Sequence, residues 1–133
     1  MADEIAVPVA ADVDVLLARQ KARTLAANLR FTSSELTLIA TAISEIARNI
    51  VLYAKRGEIT LHVIEHGRRR GLRVIARDQG PGIADIPQAM EDGYSTSRGL
   101  GIGLPGAKRL MDEFEIASAP GRGTTITMVK WES

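Results

Sequence analysis

Apolar positions change their period several times along this chain, and each change marks an element. Residues 4–9 (Glu-Ile-Ala-Val-Pro-Val) alternate weakly, as a short strand does, and Pro8, unable to donate to a ladder, puts that strand at a sheet edge. From Asp12 the period becomes helical. Asp12 is the expected cap of a helix running to about Arg30, with Val13, Leu16, Leu17, Leu25 and Leu29 at helical spacing among several alanines. Thr32-Ser-Ser-Glu35 has the spacing of a capping box, and a second helix is expected from there to about Ala54 on the stripe Leu36, Ile39, Ala40, Ile43, Ala47, Ile50. Its other side is mixed, since Leu38, Ala42 and Leu52 flank Glu45 and Asn49, so something besides the main core should cover it. Gly57 ends the helical period. Residues 58–65 and 72–77, rich in β-branched side chains, read as strands joined by a hairpin turn over Gly67–Gly71. A short helix over 86–92 and a polar loop over 93–98 follow. A helix then opens near Gly103, with Pro105 in its first turn, and passes through Met111. Strands over 113–118 and 124–131 flank a turn at Pro120–Gly123. The last strand can present either Ile126, Met128 and Lys130 or Thr125, Thr127, Val129 and Trp131 to a core.

Runs of strands joined by hairpins, with helices between the runs, predict an α+β two-layer sandwich: a largely antiparallel mixed sheet with its helices on one face. The 133 residues fit a single domain, 1–133. With 45% hydrophobic and 25% charged residues the chain is a globular rather than a disordered one. Seventeen basic against sixteen acidic side chains give no electrostatic reason to expect nucleic acid. No cysteine is present, so neither disulfides nor thiolate metal sites arise, and a cytoplasmic location is expected. No secretory signal is visible, and no apolar run approaches the roughly 18 residues of a membrane span, so no membrane partner is expected. His62 and His66 are too few for a histidine-rich metal site, and the five arginines between 68 and 77 read first as a solvated turn and strand face, second as a dock for an acidic partner.

The candidate chemistry lies in four places. Seven of the 12 glycines fall between Asp78 and Gly106, where the backbone must turn sharply or admit a ligand. Gly101-Ile-Gly-Leu-Pro-Gly106 matches a dinucleotide fingerprint literally, but no strand precedes it, and no Gly-Lys-Ser/Thr exists for a Walker loop. Gly99, Gly101 and Gly103 ahead of a helix start do let amides and a helix N-terminus approach an anion, although an ordinary flexible loop reads the same way. Glu45 and Asn49 stand one turn apart on one helix face. Taken alone they are a solvated pair. Taken with the rest, Asn49 offers Mg²⁺ a neutral oxygen and Glu45 can accept a proton from a hydroxyl or water. Asp78-x-Gly80-x-Gly82 sets an acceptor beside a tight turn, and Gly121-x-Gly-Thr124 adds a hydroxyl at another.

These four motifs, in this order over residues 45–124, resemble the N, G1, G2 and G3 boxes of the GHKL (Bergerat-fold) ATP-binding superfamily of gyrase-type topoisomerases, Hsp90, histidine kinases and MutL. Within it, Ala42–Asn49, Asp78–Ile83, Met90–Ser97 and Gly101–Phe114 resemble the bacterial anti-sigma-factor serine/threonine kinases, most of all the RsbT-type switch kinases of the stressosome. The resemblance implies ATP and Mg²⁺ as cofactors, Asn49 as the Mg²⁺ ligand and Glu45 as general base. It implies that Asp78 accepts the adenine amino hydrogen, with Gly82 against the base and Thr124 assisting through water. Gly99, Gly101 and Gly103 would belong to a lid over the phosphates; Gly80 and Leu104 join the nucleotide-binding set, and Arg98 is a candidate γ-phosphate contact. The implied substrate is a serine or threonine on a STAS-domain partner, and the implied second partner is a downstream phosphatase. The phosphoacceptor helix of histidine kinases and the transducer domain of topoisomerases have no counterpart here. The alternative is a nucleotide-gated anti-sigma-type binding module with little catalysis, which shares Asn49 and Asp78 and separates at Glu45.

Overall fold

The computed structural model describes residues 4–83, 86–90 and 103–132. Strands β1 (Glu4–Val9), β2 (Gly57–His66), β3 (Arg69–Asp78), β4 (Glu113–Ser118) and β5 (Thr124–Trp131) form one sheet in the order β1-β2-β3-β5-β4. All four ladders are antiparallel. Pro8 does lie on an edge strand, as its missing N–H requires. The β2–β3 turn is shorter than expected: His66 pairs with Arg69, leaving only Gly67 and Arg68 outside the ladder.

Register places one residue set on one face. Val7 opposes Ile59, Ile59 opposes Ala76, Ala76 opposes Ile126, and Ile126 opposes Ile116; Leu61, Val74, Met128 and Phe114 form the next row. These apolar rows are the core face, so β5 turns Ile126 and Met128 inward. Helices α1 (Asp12–Ala26), α2 (Ser33–Asn49), α3 (Ile86–Ala89) and α4 (Gly103–Leu110) complete the chain.

Helix α2 starts as its capping box predicts. Thr32 Oγ1 accepts the Glu35 N–H at 3.0 Å, and Glu35 Oε1 accepts the Thr32 N–H at 2.9 Å. Every residue from Ala42 to Ala47 is buried, because α1 and α4 both pack on α2 above the sheet. This is the double cover that the mixed polar side called for. After Asn49 the helix widens into a π turn, Ile50–Ala54, closed by the Lys55 N–H on the Ile50 carbonyl at 2.8 Å. Together Ser33–Ala54 are long and apolar enough to cross a membrane by length and composition alone, although Glu35, Glu45 and Arg48 interrupt the apolar run. Their packing between α1, α4 and the sheet makes them the core helix instead.

Helix α1 departs from its expected stripe. Val15, Ala18, Ala22, Leu25 and Ala26 face inward, while Val13 and Leu16 are 67% and 61% exposed and Leu17 is also exposed. The buried alanines lie on the face of α1 that packs on the core. The helix also starts differently: Ala11 is the cap position, and the Asp14 carboxylate, not Asp12, accepts the N–H groups of Ala10 and Ala11 at 2.8 and 3.0 Å. It stops at Ala26, four residues before Arg30.

Candidate nucleotide-binding site

The end of α2, the end of β3 and the start of α4 meet at one corner of the sandwich. Gly57 pairs with Asp78 where β2 begins and β3 ends. A Cβ on Gly57 would come within 3.1 Å of Ile50, and one on Gly80 within 2.6 Å of the Ala54 Cβ. The Asp78–Gly80 turn is therefore packed directly against the π turn that follows Asn49. Asp78 Oδ1 accepts the Gly80 N–H at 2.8 Å, which shapes the turn and leaves the second carboxylate oxygen for another donor.

Two glycines are needed for their backbone. Gly82 (φ 78°) and Gly123 (φ 74°) are both left-handed, and a Cβ would strike the Ala119 carbonyl in the first case and the Asp78 carbonyl in the second. The two turns they belong to are joined by the Gly121 N–H on the Pro81 carbonyl at 2.7 Å. Thr124 is the β5 partner of Asp78. Its hydroxyl lies 2.8 Å from that of Ser118, which also accepts the Ile83 N–H at 2.7 Å and donates to the Gly123 carbonyl at 2.9 Å. Ser118 thus ties the Asp78–Ile83 segment to the Gly121–Thr124 turn. Ser118 is not among the candidates by sequence; it closes the inward row Phe114, Ile116, Ser118.

Glu45 sits deeper. Among the described residues the buried polar side chains are Ser44, Glu45 and Thr124, two of them already candidates by sequence. The Ser44 hydroxyl is satisfied by the Ala40 carbonyl. Glu45, 5% exposed, accepts the Gly103 N–H on Oε1 at 3.0 Å and the Arg48 guanidinium on Oε2 at 2.9 Å. Its carboxylate caps the N-terminus of α4, the end an anion is expected to seek. Arg48, also not a candidate by sequence, stands three residues after Glu45 and so within reach on the same helix.

The remaining candidates divide. Asn49 is half-buried at the last position of α2. Gly103 is the buried first residue of α4, and the Leu104 side chain packs into the hydrophobic core, leaving its main chain in the helix's first turn. Arg98, Gly99 and Gly101 lie outside the described residues.

The donor set fits a nucleotide held with Mg²⁺. Asn49, Asp78, Glu45 and Thr124 offer oxygen, which can bind a hard cation or accept a hydrogen bond from an adenine amino group. Among the described residues no three His, Cys, Asp or Glu side chains cluster as a metal cage. A cation here would depend on phosphate and water for most of its ligands, as Mg²⁺ does in phosphate sites.

Residues 8–130 match the family model of the histidine kinase-like ATPase domain. Over 131 residues, 98% of each chain, the sequence is 50% identical to serine/threonine-protein kinase RsbT of Bacillus subtilis (strain 168). It is 35% identical over 120 residues to an anti-sigma F factor of Thermoanaerobacter sp. (strain X514), covering 86% of this chain and 82% of the relative. The fold matches the crystal structure of the RsbU and RsbW domains of a Mycobacterium tuberculosis protein with a TM-score of 0.67 at 21% identity, over 96% of this chain and 32% of that one.

Proposed function

The chain belongs to the histidine kinase-like ATPase domain family, and from that premise we propose that it is a Mg²⁺/ATP-dependent protein serine/threonine kinase of a bacterial partner-switching stress pathway. Its acceptor is a serine or threonine on a STAS-domain partner. Once released from that partner it binds a downstream regulator such as a phosphatase. It works in the cytoplasm, where ATP is supplied. The 50% identity to a named serine/threonine kinase across 98% of both chains supports the reaction class.

The observation that carries the reading is the burial of the Glu45 carboxylate beside the start of α4. Burying a carboxylate is costly, and although Arg48 and the Gly103 N–H offset that cost, a fold without use for a base there could fill the space with an apolar side chain. Bound Mg²⁺-ATP supplies the transferable phosphoryl group, and transfer asks chiefly for positioning and charge neutralisation. Asn49 would hold the metal. Asp78 would accept the adenine amino hydrogen, with Gly80 and Gly82 shaping the turn beside the base and Thr124 acting through water. Gly99, Gly101, Gly103 and the Leu104 main chain would face the phosphates, with Arg98 at the γ-position. Glu45 would take the proton from the partner's hydroxyl as its oxygen attacks.

The test is transfer itself. The chain is incubated with γ-labelled ATP, Mg²⁺ and a STAS-domain partner, and label is sought on partner serine or threonine. A nucleotide-dependent complex that forms without label overturns the kinase reading in favour of a binding module.

A further inference from the structure

We propose that Arg48 is a positioning residue for phosphoryl transfer, holding the Glu45 carboxylate in the orientation from which it can act; this rests on Glu45 being the general base. Arg48 Nη1 donates to Oε2 at 2.9 Å while the Gly103 N–H donates to Oε1 at 3.0 Å. Two donors on two different oxygens fix the carboxylate plane as well as its position. Each oxygen has a second lone pair, so the clamp orients the group without using up its capacity to accept a proton.

The pair differs from an ordinary ion pair on a helix surface, which contributes little. The arginine is 28% exposed, but the carboxylate is 5% exposed and caps a second helix with its other oxygen. The clamp therefore connects α2, which carries Asn49, to the first residue of α4, the glycine-rich helix start. Truncating Arg48 leaves a buried carboxylate with one directional donor and free to turn about its last bond. Misplacing a reacting group by about 1 Å can cost about 100-fold in rate.

The experiment uses the full chain as wild type, Arg48→Ala, Arg48→Lys, Glu45→Ala and the Glu45→Ala/Arg48→Ala double variant. Three quantities are read: single-turnover transfer to the STAS-domain partner at saturating Mg²⁺-ATP, ATP affinity by calorimetry, and the Gly103 amide resonance without nucleotide. Arg48→Ala should slow transfer about 10- to 100-fold, move the Gly103 resonance and leave ATP affinity within about threefold, a change well under 1.4 kcal/mol. Arg48→Lys, whose ammonium can still donate to Oε2, should recover most of the rate and keeps the test open if the alanine variant folds poorly. The double variant should be no slower than Glu45→Ala. Wild-type transfer by Arg48→Ala, or an equal further loss when it is added to Glu45→Ala, overturns the proposal while leaving the base assignment standing. Wild-type transfer by Glu45→Ala overturns the base assignment and the proposal together.

Discussion

Asp78 shapes its own turn, and on the proposed function the same side chain also serves the ligand. One oxygen accepts the Gly80 N–H and holds the turn, while the register sets the residue opposite Thr124, beside the other candidate residues. Asparagine keeps an acceptor for Gly80 but turns the other oxygen into a donor. Asp78→Asn should therefore fold normally and lose a charge-assisted hydrogen bond to the base, about 1.5–3 kcal/mol or about 10- to 100-fold in ATP affinity. Calorimetry showing unchanged affinity would remove the adenine role. Asp78, Asn49 and Glu45 stand out as candidates in the sequence because their types and spacings suit that chemistry. Arg48 and Ser118 do not, because an arginine three residues from a glutamate and a serine closing a strand are common in any fold. Only the meeting of α2 with α4, and of β4 with the Gly-Pro-Gly turn, gives those two their roles.

Helices α1 and α2 show where reading by period succeeds and where it fails. For α2 the capping box and the isoleucine stripe agreed, and the helix formed where both pointed. In α1 the expected stripe holds only at its C-terminal end, where Leu25 and Leu29 are buried; Val13, Leu16 and Leu17 face out. The rest of the inward face is largely Ala18, Ala22 and Ala26, and hydropathy alone ranks leucine above alanine. The sheet was easier, since alternation has only two faces and register must agree across five strands. A pair of substitutions checks the assignment. Ile43→Ala, in the fully buried centre of α2, should cost about 2–5 kcal/mol in denaturant unfolding. Leu16→Gln, on the exposed face of α1, should stay within about 0.5 kcal/mol. Equal losses at both sites would mean that α1 packs in the register its leucines suggest.

Across the whole molecule, the candidate site and a separate polar cluster sit at opposite ends of β3. Asp78 ends the strand at the candidate site, whereas Arg70, near its start, belongs to the cluster. There the Glu132 carboxylate accepts the Arg30 N–H at 2.7 Å and the Arg70 guanidinium at 3.2 Å, and Arg70 also donates to the Asn28 carbonyl at 2.9 Å. The cluster ties the α1–α2 connection to β3 and to the residue after β5. The Arg30 N–H first, and the Arg70 charge with it, hold the Glu132 carboxyl below its ordinary value of 4.5 against the opposing effect of burial. A carboxyl lowered in the folded state stabilises above its unfolded value, and that contribution is lost as pH falls through the folded value. Wild type should thus unfold at a higher temperature than Glu132→Gln at pH 7, and the gap should close as the pH drops below about 4.5. A gap independent of pH would show that charge on Glu132 is not what the cluster uses. ATP affinity at pH 7 should be the same in both.

The central claim is that a carboxylate buried between α2 and α4 performs proton transfer in a site whose nucleotide is held by other residues. It is tested most directly by the single-turnover rate of transfer from Mg²⁺-ATP to the STAS-domain partner by Glu45→Ala, with ATP affinity measured on the same sample. The account predicts a rate about 10²- to 10⁴-fold below wild type with nearly unchanged affinity. A wild-type rate, or a loss explained wholly by weaker ATP binding, would contradict it.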